Sequence, residues 1–347
     1  MDGLPFGLLA ALVGLVGGVV LGLTARLGDF CTLGALESAI YGGSQSRLRL
    51  WGIVLGVAIL GTQVGAMAGW IDLEGTIYHS IAWDPVASIV GGLMFGYGMA
   101  MAGNCGFGAL VRFGGGDLRS LVVVVVMGLF GFVALSGPLA PLRVALFPQP
   151  AAEGPQGVLS DLGALGVPAA LTIAAVAVLC FGWALSSAAL RARPAMMLWG
   201  IAAGLAVVWC FAGTSWLFDA SLEEIAVEGP SFTAPVGRTL IYLMTSTSGG
   251  LSFSVGSVVG VLAGALAGSM IRGLFRWEAC EDPRELGRQV GGAALMGIGG
   301  VLAMGCSVGQ GVSAIAALSW SGPVTLAAIS LGAWIGLRQL IGGFQPE

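Results

Sequence analysis

The chain has 347 residues, of which 56% are hydrophobic and only 9% charged, with a net charge of -4 and a mean hydropathy of +0.94. A soluble domain carries about 25% charged residues, so this composition leaves too little polar surface to solvate a globule and indicates an all-α polytopic membrane protein. It excludes intrinsic disorder and a secreted disulfide scaffold, and the acidic balance without a basic block excludes a nucleic-acid binder.

Taken in chain order, the first apolar run, Phe6 to Leu23, follows Asp2 rather than a basic segment and precedes Arg26 and Asp29 rather than a small-residue cleavage site. It reads as a retained span, not a cleavable leader. Further runs long enough to cross a bilayer are Leu50 to Trp70, Val86 to Ala102, Leu121 to Leu135, Val167 to Leu190 and Ala195 to Leu217. They are followed by Leu251 to Ile271, Val290 to Met304 continuing brokenly to Trp320, and Val324 to Leu337. At about 20 residues per crossing this predicts about nine transmembrane helices. Between Arg26 and Arg47 the stretch GDFCTLGALESAIYGG is too short to cross twice and carries Asp29 and Glu37, which predicts a dip into the membrane and back.

Arginine supplies all 14 basic residues, and it recurs after every second crossing: Arg47 and Arg49, Arg112 and Arg119, Arg191 and Arg193, Arg272 to Arg288, then Arg338. The intervening connections are acidic, with Asp72, Glu74 and Asp84, then Glu153 and Asp161, then Asp219, Glu223, Glu224 and Glu228. The positive-inside rule therefore predicts an outside N-terminus and a cytoplasmic C-terminus, with Arg143 and Arg238 as exceptions. Arg112 and Arg119 read either as ordinary cytoplasmic anchors or as attraction for an anion.

The sequence also matches itself. Gly96, Gly98, Cys105 and Gly108 in FGYGMAMAGNCGFG align without a gap on Gly297, Gly299, Cys306 and Gly309 in GIGGVLAMGCSVG, at a constant offset of 201, and Gly131 with Gly332 extends the register. A weaker match, at an offset of 222, sets Gly28 and Gly34 against Gly250 and Gly256 and predicts a second dip there. By the arginine pattern the two cysteine segments run in opposite senses, so the repeat is inverted. Broken helices in inverted repeats are where secondary transporters handle substrate. The chain reads as one transmembrane domain, with repeat halves at about 1–137 and 236–347 and connecting helices at about 166–217.

The six cysteines are Cys31, Cys105, Cys180, Cys210, Cys280 and Cys306, and the only histidine is His79. No CxxC or His/Cys cluster is present, so neither a metal site nor a cofactor is expected. Without lysine there is no ATP-binding P-loop. A cysteine beside glycines in a broken helix offers a polarizable sulfur and a weak S–H donor, suited to passing contact with a soft solute. Cys180 and Cys210, in plain apolar helices, read as small hydrophobes. Exposed N–H groups at helix breaks favour an anion.

At FGYGMAMAGNCGFGALVRFGGGDLRSL and ALMGIGGVLAMGCSVGQG the chain resembles the YeeE/YedE sulfur-transport family of bacterial inner-membrane proteins, over nearly its whole length. The resemblance implies an hourglass of helices with re-entrant loops, uptake of thiosulfate or a related sulfur anion, relay past cysteine thiols, and pairing with a small cytoplasmic TusA-like sulfur carrier. It assigns Cys105 and Cys306 to the path, with the nearby Gly106, Gly108 and Gly309. It also implies a third path cysteine in the second-half dip, where this chain has Ser252, Phe253 and Ser254, while Cys31 lies in the opposing dip. Cys280, in WEACEDPRE, is either a contact for the sulfur carrier or an incidental loop residue. The alternatives are a transporter of another sulfur or selenium species, and a membrane sulfurtransferase or redox protein with a persulfidated cysteine.

Overall fold

The computed structural model describes residues 5–154, 156–247, 250–279 and 282–342. Cys280 lies outside the described residues. The first half of the chain forms α1 (Phe6–Leu27), α2 (Thr32–Ile40), α3 (Ser46–Met67), α4 (Ile77–Ser80), α5 (Pro85–Ala102), α6 (Gly106–Gly114) and α7 (Leu118–Leu135). A middle section follows, with α8 (Ala140–Leu146), α9 (Val158–Ala164), α10 (Ala169–Leu185) and α11 (Ala188–Arg191). The second half forms α12 (Pro194–Ala220), α13 (Ala234–Thr245), α14 (Phe253–Ile271), α15 (Pro283–Leu302), a short π-helix (Gly309–Ala314) and α16 (Ser321–Gly342). Among the described residues there is no strand.

Seven of the described helical segments are long and apolar enough to cross a membrane, which makes this a multi-pass membrane protein. Two further segments marked in the sequence are also helical: α10, of 17 residues, and α15, of 20 residues, whose first turns carry Arg284, Glu285 and Arg288. Pro at the start and an Asp N-cap recur where helices begin: Asp84 accepts from the Val86 and Ala87 amides at α5, and Asp282 accepts from Arg284 at α15. Both devices satisfy first-turn donors that have no helical partner.

Glycine sets how these helices meet. In lipid the hydrophobic effect does not separate helix from helix, so close backbone approach and van der Waals packing hold them. α5 and α15 cross antiparallel with matched spacing: a Cβ on Gly98 would stand 2.5 Å from the Gly292 carbonyl oxygen and 2.9 Å from the Met296 amide. Its repeat mate Gly299 meets Gly91 and Phe95 in the same way, at 2.6 Å each. All these partners are related by the offset of 201 read from the sequence, so the two central helices share a pseudo-twofold contact. The flanking pairs follow suit, α5 with α16 and α15 with α7, and further out α1 packs on α14 as α3 packs on α12.

The ends of the helices sort into two faces. On one, Arg47 and Arg272 both reach Asp29 at 3.6 Å, and Arg119 pairs with Asp117 at 3.2 Å and Glu278 at 3.3 Å. On the other, Thr76 bridges Val227, Ala82 donates to the Pro150 carbonyl, and the Trp320 indole donates to Asp161. His79 belongs here, its two ring nitrogens 2.8 and 2.9 Å from the Gln156 and Ala317 carbonyls, so it ties loops together. Arg238, an exception to the charge pattern, also sits on this acidic face, paired with Glu228 at 2.9 Å.

Both halves send a segment inward. After α1 the chain breaks at Gly28–Cys31, with Asp29 held at φ 58°, enters the interior at Thr32, and returns along α2 toward Arg47. In the second half the chain turns inward earlier than the weaker glycine match placed it. Residues 227–233 run in from the acidic face to bury Phe232, and α13 carries the chain back out to the exposed Leu243 and Met244. The stretch around Gly250 and Gly256 is the surface start of α14, a full-length span packed along α1, and not a dip. The inward segments correspond at an offset of 202: Phe30 with Phe232, and the N-cap of α2, Cys31, with the N-cap of α13, Thr233.

Candidate functional site

The site is built from the two breaks that follow α5 and α15. In the first, Gly103 takes a left-handed turn (φ 75°) and Cys105 becomes the N-cap of α6, its sulfur accepting the Gly108 N–H at 3.3 Å. In the second, Met304 takes the same left-handed turn (φ 54°) and Cys306 accepts the Gly309 N–H at 3.4 Å. Cys306 also accepts the Phe232 N–H at 3.3 Å and lies 3.9 Å from the Ser231 hydroxyl. Both cysteines are fully buried. With the sulfur lone pairs facing backbone N–H groups, each S–H is left free to donate.

A hydroxyl bridge joins the two breaks. Thr32 donates to Ser307 at 3.1 Å, and Cys105 lies 4.0 Å from the Thr32 oxygen in a donating orientation. Ser307 follows Cys306 in the chain and Thr32 follows Cys31, so this buried polar link ties together the segments that carry two expected path cysteines, with the third, Cys105, beside it. Three aromatic rings close the space beside it. Phe107 lies 5.1 Å from Phe232 and 6.2 Å from Phe30, centroid to centroid, and all three are buried. Gly106 lets α6 start here, because a Cβ would stand 2.6 Å from the Met127 sulfur.

On the acidic face a cavity of about 210 Å³ leads toward Cys306, with Tyr78, Ser231, Thr233, Arg238, Met304 and Gly305 in its wall. Tyr78 donates to the Gly309 carbonyl at 3.0 Å, and burial, reinforced by nearby Cys306, pushes its phenol well above the usual range, so it stays a neutral donor. On the arginine face the exposed Arg112 ends α6, and Arg26 donates to the Val111 carbonyl at 2.9 Å.

Ser254 is buried and reaches the cavity only through its hydrogen bonds to Arg238 and Glu228. Ser252 is the N-cap of α14 and makes no side-chain cap bond. Thr32, Ser307, Thr233 and the three phenylalanines escaped sequence reasoning. The one signal that marks them is the Phe30–Phe232 identity at offset 202, which carries no glycine or cysteine landmark. Among the described residues no cluster of His, Cys, Asp or Glu is arranged to hold a metal.

Residues 27–335 match the family model for sulphur transport. The chain is 23% identical over 333 residues to the thiosulfate transporter TsuA of Escherichia coli (strain K12), covering 93% of this chain and 92% of that protein. It is 26% identical over 332 residues to the thiosulfate transporter TsuA of Spirochaeta thermophila, covering 88% and 93%. Buried thiols at paired helix breaks, a polar link between them and a match over most of the chain converge on one assignment: this protein belongs to the YeeE/YedE sulphur-transport family.

Proposed function

We propose that this protein carries thiosulfate, or a closely related small sulfur anion, across the bacterial cytoplasmic membrane, with the acidic face outside and the arginine face toward the cytoplasm. The observation that carries this is the Thr32–Ser307 hydrogen bond, which joins the Cys31 and Cys306 segments beside Cys105, between a cavity on one face and arginines on the other. Thiosulfate has hard oxygens and one soft sulfur. Hydroxyls and helix-start N–H groups suit the first, and weakly donating polarizable thiols suit the second.

In this reading the anion enters at the cavity, meets the Cys306 S–H, passes the phenylalanine closure to Cys105 and Cys31, and leaves toward Arg112. Neutral thiols bind it weakly enough for release, and no bond to sulfur is made or broken. The pairing of the two TsuA relatives with their named substrate supports thiosulfate over other soft species. A TusA-like carrier would receive the product on the arginine face. The test is uptake of radiolabelled thiosulfate into proteoliposomes of the purified protein. Saturable uptake that a tenfold excess of sulfate leaves largely intact is expected; absence of uptake by folded protein would contradict the proposal.

A further inference from the structure

The cavity beside Cys306 holds groups that a relay of thiols does not require. Arg238 and Glu228 form an ion pair at 2.9 Å in its wall. Behind them the fully buried Ser254 accepts from Arg238 at 3.2 Å and donates to the Glu228 carboxylate at 3.3 Å. One turn earlier on the same helix start, Thr233 is 2% exposed, lines the cavity, and its hydroxyl has no hydrogen-bond partner among the described residues. It fits only because residue 300 is glycine, where a Cβ would stand 2.6 Å from the Thr233 oxygen. Buried hydroxyls are almost always paired; this orphan lies against the Gly300 backbone in the cavity wall, and a turn about χ1 would present it to an acceptor that arrives with a ligand.

The geometry points to a reception site in which Arg238 and the Thr233 hydroxyl bind the oxygens of a small sulfur oxyanion, with Glu228 as the resident competitor for the guanidinium. The inference rests on the thiosulfate reading and deepens it. In the empty site the Glu228 carboxylate occupies Arg238; an entering anion takes over that charge-assisted contact and Thr233 supplies a second donor. With its oxygens held at α13, the anion's sulfur end is directed toward Ser231 and Cys306. Exchange of one anion for another keeps the site from holding its cargo too tightly, which a transporter needs.

The competitor role makes a prediction that an ordinary structural ion pair does not. A structural pair fails in the same way whichever partner is removed, whereas here the two removals act in opposite directions. In proteoliposome uptake of radiolabelled thiosulfate, Arg238→Gln should raise the half-saturation concentration about tenfold and Glu228→Gln should lower it by about threefold or more. Thr233→Val, which keeps shape and removes the donor, should raise it by about threefold or more. Arg238→Lys should recover part of the affinity. The half-saturation concentration is the readout because misfolded protein lowers maximal rate without shifting it. Wild-type uptake with Arg238→Gln and Glu228→Gln shifting in the same direction, or with neither shifting, would overturn the site alone. No uptake by the wild type would overturn the proposed function beneath it.

Discussion

The Cys105 and Cys306 breaks share a backbone plan and differ in almost everything the side chains add. In each, a left-handed residue ends a glycine-packed helix and a cysteine sulfur accepts an N–H three residues on. Past that point, α6 is a regular nine-residue helix with the exposed Arg112 in its last turn, whereas its counterpart is a π-helix in which Arg112 is replaced by the buried Ser313, bonded to the Pro230 carbonyl at 2.8 Å. π-turns gather at functional sites because they re-aim side chains within a helix. Here Gln310 turns back to donate to the Ala303 and Met304 carbonyls. The common plan supplies two equivalent thiols; the differences place the Arg238–Glu228 pair beside a cavity on one side and the exposed Arg112 on the other.

The two breaks should also respond differently to substitution. The closure that both breaks share hangs on Phe107, whose repeat mate is the smaller Val308, and both are buried. Phe107→Ala should cost roughly 3–5 kcal/mol of stability, seen in denaturant or thermal unfolding in detergent, and should let proteoliposomes leak thiosulfate down its gradient. Val308→Ala should show the same leak weakly if the closure is symmetric, and none if Phe107 alone forms it. Next in size, two repeat-related glycines of the central helices allow no added methyl: Gly297→Ala would bring a Cβ 2.5 Å from the Met127 carbonyl, and Gly96→Ala would overlap the Ile329 carbonyl. Each should destabilise by about 1–3 kcal/mol, with Gly96→Ala the worse of the two by thermal unfolding.

The smallest expected effect concerns the left-handed turns. Gly103 has open space around it, so Gly103→Ala should cost only the backbone strain of about 1–2 kcal/mol, whereas in Met304→Gly relief of a similar strain is offset by the lost packing of a partly buried side chain, leaving the unfolding midpoint nearly unchanged. Strain kept at a non-glycine position in a cavity wall suggests that the Met304 side chain serves the route. Met304→Gly should therefore slow thiosulfate uptake with stability nearly unchanged, and unchanged uptake would reduce Met304 to scaffold.

Much of this architecture was legible in the sequence because glycine and cysteine leave sharp marks. The offset of 201 marked which residues of the two central helices are equivalent, and the arginine pattern sorted the helix ends into the two observed faces. The second inward segment was not legible from glycines: with 60 of them, Gly28 and Gly34 matched Gly250 and Gly256 by coincidence. The true counterpart is marked by one aromatic, Phe232, and a change from Cys31 to Thr233, which composition and spacing pass over. The charge rule did carry a signal in its exception, since Arg238 stands on the acidic face beside the cavity. What sequence spacing has no means of encoding is the Thr32–Ser307 contact across 275 positions, which depends on both inward segments meeting.

The proposed route requires the two buried thiols to act in sequence. Initial rates of radiolabelled thiosulfate uptake into proteoliposomes should be compared for the wild type, Cys105→Ala and Cys306→Ala at matched protein density. Loss of a hydrogen bond to a charged solute predicts a fall of about tenfold to a hundredfold for either variant, with unfolding midpoints close to that of the wild type. Wild-type rates in both variants would contradict the claim.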